Sequence, residues 1–252
     1  MKKILLLFSL LVIFISLGIF SCGAREINLS DPDIARANDL LTKFDRFPSF
    51  AVPFVAKTPM VDGIVGEEEW AEASSFTGLV SFITRHVVQK PTCFFVQHDA
   101  EYVYLAFKLD RLDGSEPQVK TSGHVNKLWN KEDGVELVLS MDRDRRSIFS
   151  IYVNGASGYS DGALVDRGLD TAWNGNYLCS SRVTPQGIEG ELRFAKKEFE
   201  DFMAEKNLVF DSKSWGVNPM RVDRTPTMEQ AELTDMWGGA GKYSGDFLGN
   251  LL

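Results

Sequence analysis

Trp129–Asp144 reads WNKEDGVELVLSMDRD, and its second half decides the fold. In Val135, Glu136, Leu137, Val138, Leu139 the side chains of an extended chain point alternately to two faces. Val135, Leu137 and Leu139 share one face, an apolar one suited to a core; Glu136 and Val138 share the other. Ile148–Val153 repeats the pattern, with Phe149, Ile151 and Val153 on the core face and Ser150 and Tyr152 opposite. The charged run Met141–Arg146 between them reads as a hairpin turn. Pairing that matches faces needs residue numbers with an even sum. A sum of 288 sets Glu136 across from Tyr152, and a sum of 286 sets it across from Ser150.

The same rhythm extends in both directions. Thr92–Gln97 and Tyr102–Leu109 form a hairpin about Asp99-Ala100-Glu101, with Val103, Leu105 and Phe107 on one face and Tyr102 and Tyr104 on the other. Gly158–Leu164, Tyr177–Val183, Gly187–Phe194, Trp215–Val222 and Phe247–Leu251 read as further strands. Lys196–Lys206 carries Phe199, Phe202 and Met203 on one helical face. Trp70, Trp173 and Trp215 read as core residues. Short alternating strands with few helices predict an all-β fold, an antiparallel β-sandwich of jelly-roll type. It has a short N-terminal helix and one later helix. The N-terminal helix is predicted from Asp31-Pro32, a cap with Pro at the first helical position, to Phe44.

The chain has 252 residues and a net charge of −8, enough for one large domain. An acidic surface repels phosphate backbones, so nucleic acid is a poor partner. Lys2 and Lys3 precede an apolar run from Ile4 to Phe20, followed by Ser21 and Cys22. That order describes an export signal. A Cys directly after the apolar run resembles a bacterial lipoprotein signal, with Cys22 lipidated and the chain anchored to a membrane of the cell envelope. The predicted division is residues 1–21 as signal, 22–50 as tether and short helix, and 51–252 as sandwich. Cys93 and Cys179 read as two separate core thiols.

Several phrases match one family in order and spacing: Val61-Asp62-Gly63 with Glu69-Trp70, then His98-Asp99-Ala100-Glu101-Tyr102-Val103-Tyr104. Trp129 with Glu132-Asp133-Gly134-Val135-Glu136 follows, then Phe149–Asn154 and Trp215-Gly216-Val217-Asn218. Together they cover about Ala51 to the C-terminus. The chain resembles a family 9 carbohydrate-binding module, within the DOMON-like sandwiches. The resemblance implies non-catalytic binding of an oligo- or polysaccharide, a sugar ring clamped between two aromatic side chains, and a strand Glu on its hydroxyls. It assigns the first aromatic to Trp129 and the Glu to Glu136. The second aromatic belongs to the last loop, which offers Trp237 and Tyr243. Tyr152 stands where better-studied members carry a hydroxyl-binding Arg. Association with glycan-degrading enzymes is a further implication.

Other functions meet specific objections. Related sandwiches hold haem through Met or His ligands. His86, His98, His124 and seven Met residues are available, but no paired ligand motif is evident; haem-linked electron transfer is the alternative. A glycosidase needs two carboxylates flanking one bond, and Glu136 has no obvious partner. There is no phosphate loop, HExxH or Ser elbow. Asp133, Asp142 and Asp144 could hold calcium, although a charged turn accounts for them as well.

Overall fold

Alternation produces two packed sheets. The computed structural model describes residues 49–81, 91–111, 114–126, 132–142, 146–165, 168–170, 173–224, 233–236 and 249–251. All lie in one compact unit that runs from Pro32 to Leu252. The export signal, Cys22 and the expected N-terminal helix fall outside them.

The strands are β1 (Ser49–Phe50), β2 (Ser74–Phe76), β3 (Val80–Ser81), β4 (Thr92–His98), β5 (Tyr102–Asp110), β6 (Gly123–His124), β7 (Gly134–Ser140) and β8 (Ser147–Asn154). They continue with β9 (Gly158–Val165), β10 (Gly168–Asp170), β11 (Tyr177–Thr184) and β12 (Gly187–Ala195). After helix α1 (Lys196–Glu205) come β13 (Trp215–Asp223), β14 (Leu233–Met236) and β15 (Gly249–Leu251). Among the described residues, one sheet runs β1-β15-β13-β7-β8-β9-β10, with β14, β3 and β6 attached, and the other runs β11-β12-β5-β4-β2. The expected sandwich is therefore present. Its pairing is antiparallel except for two short parallel pairs, β1 with β15 and β6 with β9. The short strands β2, β3, β6, β10 and β14 were not expected, because two to four residues carry too little alternation to be read alone.

The inward faces are those the alternation predicts. Val135, Leu137, Leu139, Phe149, Ile151 and Val153 pack with Val103, Leu105, Phe107, Leu192 and Phe194 in one continuous cluster. Burying each such large apolar side chain contributes about 1.5–3 kcal/mol. Trp173 and Trp215 belong to it, and α1 closes one side by inserting Phe199 and Met203. The Phe199 ring lies 4.9 Å from that of Phe149, edge to face.

α1 ends through its backbone. Asn207 adopts φ 56°, its N–H donates to Ala204 O, and the N–H of Leu208 donates to Met203 O at 2.8 Å. This is a Schellman stop with Asn in the left-handed position usually taken by Gly.

Outside the second sheet, Trp70, Tyr104, Ala106 and Val65 form a smaller cluster. The Trp70 Nε1–H donates to Glu191 Oε1 at 2.9 Å, while Glu191 Oε2 accepts from Asp62 N and Gly63 N, each at 3.0 Å. Gly63 sits at φ +88°, where a side chain would be strained. One buried carboxylate thus ties together two separated phrases, Val61-Asp62-Gly63 and Glu69-Trp70.

Candidate ligand site on the ten-strand sheet

Glu136 lies mid-strand in β7. Its register partner in β8 is Tyr152, so the hairpin adopts the sum of 288. The turn explains that choice: Asp142 accepts from Arg146 N at 2.7 Å and Ser147 N at 2.8 Å, which closes the loop on itself. On its other side Glu136 pairs with Met220 of β13, and Met220 pairs with Met236 of β14. Tyr152 in turn pairs with Ser160 of β9. One transverse row therefore reads Met236, Met220, Glu136, Tyr152, Ser160, with neighbouring strands about 4.8 Å apart.

This outer face is polar but not wet. Glu136, Tyr152, Asn154, Ser160 and Asn218 are each 0 % exposed. A carboxylate in such a place needs donors, and Ser150 Oγ supplies one, 2.7 Å from Glu136 Oε1. Ser150 is a diagonal neighbour rather than the direct partner, since it pairs with Val138. Asn218 pairs with Val138 from the β13 side and so shares the face with Glu136.

Tyr152 uses its hydroxyl differently: it donates to the backbone oxygen of Glu132. Burial first, and then the charges of Asp133, Glu136 and Glu132, raise its pKa well above the phenol's ordinary value. The group stays protonated and remains a donor. The Glu132 side chain accepts from Lys120 N (2.7 Å), Thr121 N (3.1 Å), Thr121 Oγ1 (2.5 Å) and Asn154 Nδ2 (2.7 Å). Burial alone would raise the Glu132 pKa, but these donors outweigh it and hold the carboxyl below its usual range. Asp133 accepts from Arg111 Nη1 (2.8 Å), Gln118 N (2.6 Å) and Arg224 N. Its pKa is nevertheless raised, chiefly by burial. Gly134 follows because nothing larger fits: a Cβ there would sit 2.1 Å from Val153 O. The segment Glu132–Gly134, three residues after Trp129, is thereby pinned from several directions.

Of the five residues expected to bind ligand, Glu136 and Tyr152 are brought together. Trp129, Trp237 and Tyr243 lie outside the described residues. Asn154, Asn218, Ser160 and Glu132 are the polar groups the sequence reading passed over. Alternation along β8 carries a signal for Asn154, in phase with Tyr152. Asn218 has a signal only once β13 is known to flank β7.

The carboxylates considered for calcium do not converge. Asp133 and Asp142 bracket β7, roughly 25–30 Å apart along an extended strand, and each is engaged by local donors. Asp144 is outside the described residues. No group of three or more metal-ligating side chains occurs among the described residues. Of the histidines, His124 contacts Asp161 at 3.1 Å, His98 contacts Lys196 at 2.8 Å, and His86 is outside the described residues.

No protein-family model matches this sequence, and no curated protein matches it. Solved structures do resemble it. A carbohydrate-binding module of family 9 from Caldicellulosiruptor kristjanssonii, in complex with cellotriose, superposes with a TM-score of 0.56 at 15% identity, covering 81% of this chain and 92% of that one. The same organism's family 9 module in complex with glucose gives 0.57 at 15% identity, covering 81% and 94%. A candidate carbohydrate-binding protein from Bacteroides uniformis gives 0.60 at 15% identity, covering 81% and 98%. The fold of this chain is the sandwich that these proteins share.

Proposed function

We propose that this protein binds a carbohydrate without catalysis, through the outer face of the ten-strand sheet around Glu136. The observation that carries the reading is the transverse row: a mid-strand Glu, hydrogen-bonded by Ser150 and facing Tyr152, on a sandwich whose structural neighbours include modules solved with cellotriose and glucose. In this reading Trp129 and a second aromatic cover the two faces of a sugar ring, and ligand entry uncovers Glu136, 0 % exposed in this structure, to accept from its hydroxyls. Either Trp237 or Tyr243, both in the last loop, supplies the second ring. Tyr152 serves by fixing Glu132, and through it the segment after Trp129. An exported lipoprotein anchored by Cys22 at the cell envelope, acting beside glycan-degrading enzymes, fits the same proposal.

Covering ~50 Å² on each of two sugar faces contributes about 2.5 kcal/mol. Hydrogen bonds to a charged group add roughly 1.5–3 kcal/mol each. After the cost of immobilising the ligand, a dissociation constant between about 1 µM and 1 mM follows.

The test is a glycan array on the soluble form that begins after Cys22, followed by titration of the best hit. Trp129→Ala should abolish binding, and Glu136→Gln should weaken it by about 10- to 100-fold, the worth of a charged acceptor, with the melting temperature little changed. Binding that survives both substitutions would remove Glu136 and Trp129 from the site.

A further inference from the structure

A second feature lies away from that row, at the end of the sandwich where α1 begins. Val52, His98, Val103, Lys196, Ser212, Lys213 and Trp215 line a cavity of about 60 Å³. Trp215 faces inward on β13 and stands five residues from Met220, the partner of Glu136, so the cavity and the Glu136 face are separate places.

Two lysines and a histidine make the basic wall of this cavity. Lys196 Nζ donates to His98 Nδ1 at 2.8 Å and to Asp99 O at 2.5 Å, and both acceptors are neutral groups. His98 Nδ1 also lies 3.0 Å from Asp99 O, so it accepts from Lys196 when unprotonated and donates to Asp99 O when protonated. The adjacent acids are spent elsewhere. Asp99 accepts from Tyr104 Oη, Glu101 N and Tyr102 N. Asp211 Oδ1 accepts from Lys213 N and Ser214 N. Neither lysine has a carboxylate in ion-pair contact among the described residues. Burial lowers the pKa of both Lys196 and His98, and the nearby charge of Asp99 offsets this only in part, as expected for basic groups drawn out of water. Apart from Ser212, the remaining walls are apolar: the side chains of Val52 and Val103, and the Trp215 indole, whose Nε1–H is committed to Asp211 O at 2.7 Å.

We propose that this cavity is a second binding site, one that takes the carboxylate of a small organic acid or of an acidic sugar. Lys196 and Lys213 bind the carboxylate oxygens, His98 closes the polar side, and the short apolar body rests against Val52, Val103 and Trp215. The volume admits roughly four to six heavy atoms, since one water needs some 10–15 Å³ of such space. A whole pyranose does not fit, but a carboxyl group and its attached carbon do.

Calorimetric titration of the full-length chain tests this, with acetate, propionate, glucuronate and glucuronate methyl ester as probes and chloride as the ionic-strength control. Saturable binding of propionate or glucuronate, weakened about tenfold by Lys196→Gln and several-fold by Lys213→Gln, is the expected result. Propionate binding without glucuronate identifies a free acid. Glucuronate binding that its methyl ester lacks identifies the acid end of a sugar. No saturable binding up to about 50 mM overturns the proposal. So does binding that Lys213→Gln leaves unchanged; Lys213 is exposed, and its replacement leaves the core intact. Trp129→Ala should not affect these titrations, which separates this site from the one around Glu136.

Discussion

At the residue scale, two adjacent acids answer to pH in opposite directions. Glu132 has its folded pKa depressed by donated hydrogen bonds, so the stability it contributes is present above its ordinary value of 4.5 and is lost as pH falls through the lower folded value. Asp133 has its folded pKa raised by burial. Its contribution is greatest below the ordinary value of 3.8 and declines as pH rises through the folded value. Replacing Glu132 should therefore blunt acid unfolding, while replacing Asp133 should not. Denaturant titrations from pH 6 down to pH 3 check this: Glu132→Gln should lose less stability over the interval than the parent. A parallel loss in both proteins would mean that the Thr121, Lys120 and Asn154 donors do not hold the ionised form. That Glu132 matters was hidden in the sequence, because an acid in a polar loop looks the same whether it faces water or accepts four hydrogen bonds.

At the element scale, α1 depends on how it stops. Asn207 occupies the left-handed region at φ 56°, which costs a β-branched residue roughly 1–2 kcal/mol more than it costs Gly. Asn207→Gly should be neutral or slightly stabilising, and Asn207→Val should destabilise by about 1–2 kcal/mol, read from the shift in the chemical midpoint. The hairpins were legible because both arms lie close in sequence and each alternates over seven residues or more. The face-matching argument left two registers for β7 and β8, and the Asp142 turn selects between them. The placement of β13 beside β7 was not legible, since its partner lies some eighty residues earlier and the alternation of a strand says nothing about which neighbour it takes. The same ignorance kept Asn218 out of the expected site. Glu136 was expected on a non-core face, which is where it lies. That this face is as dry as the core could not be read from alternation, which separates faces without saying what covers them.

At the scale of the whole molecule, the order of strands in the second sheet settles the chemistry of the thiols. Cys179 lies on β11 opposite the core residue Leu192, while Cys93 lies on β4 next to the core residue Phe94 and so points to the other face. Three inter-strand steps of about 4.8 Å separate β11 from β4, beyond the reach of a disulfide. Neither is in a disulfide, and burial pushes the Cys179 thiol up to about 12, which makes it a poor nucleophile at neutral pH. Thiol titration should find both unreactive or slow in the folded chain and both reactive in denaturant without a reducing agent. A mass two units lower in the unreduced chain would contradict this.

The pairing of β1 with β15 carries a mechanical consequence. Among the described residues, Ser49 and Phe50 join β1 to the sheet, and they do so at its rim. Tension applied at Ser49 would load this two-pair seam, whereas β5 and β12 are joined over nine residue pairs. The seam would let go as a ripcord does, while the nine-pair joint between β5 and β12 holds.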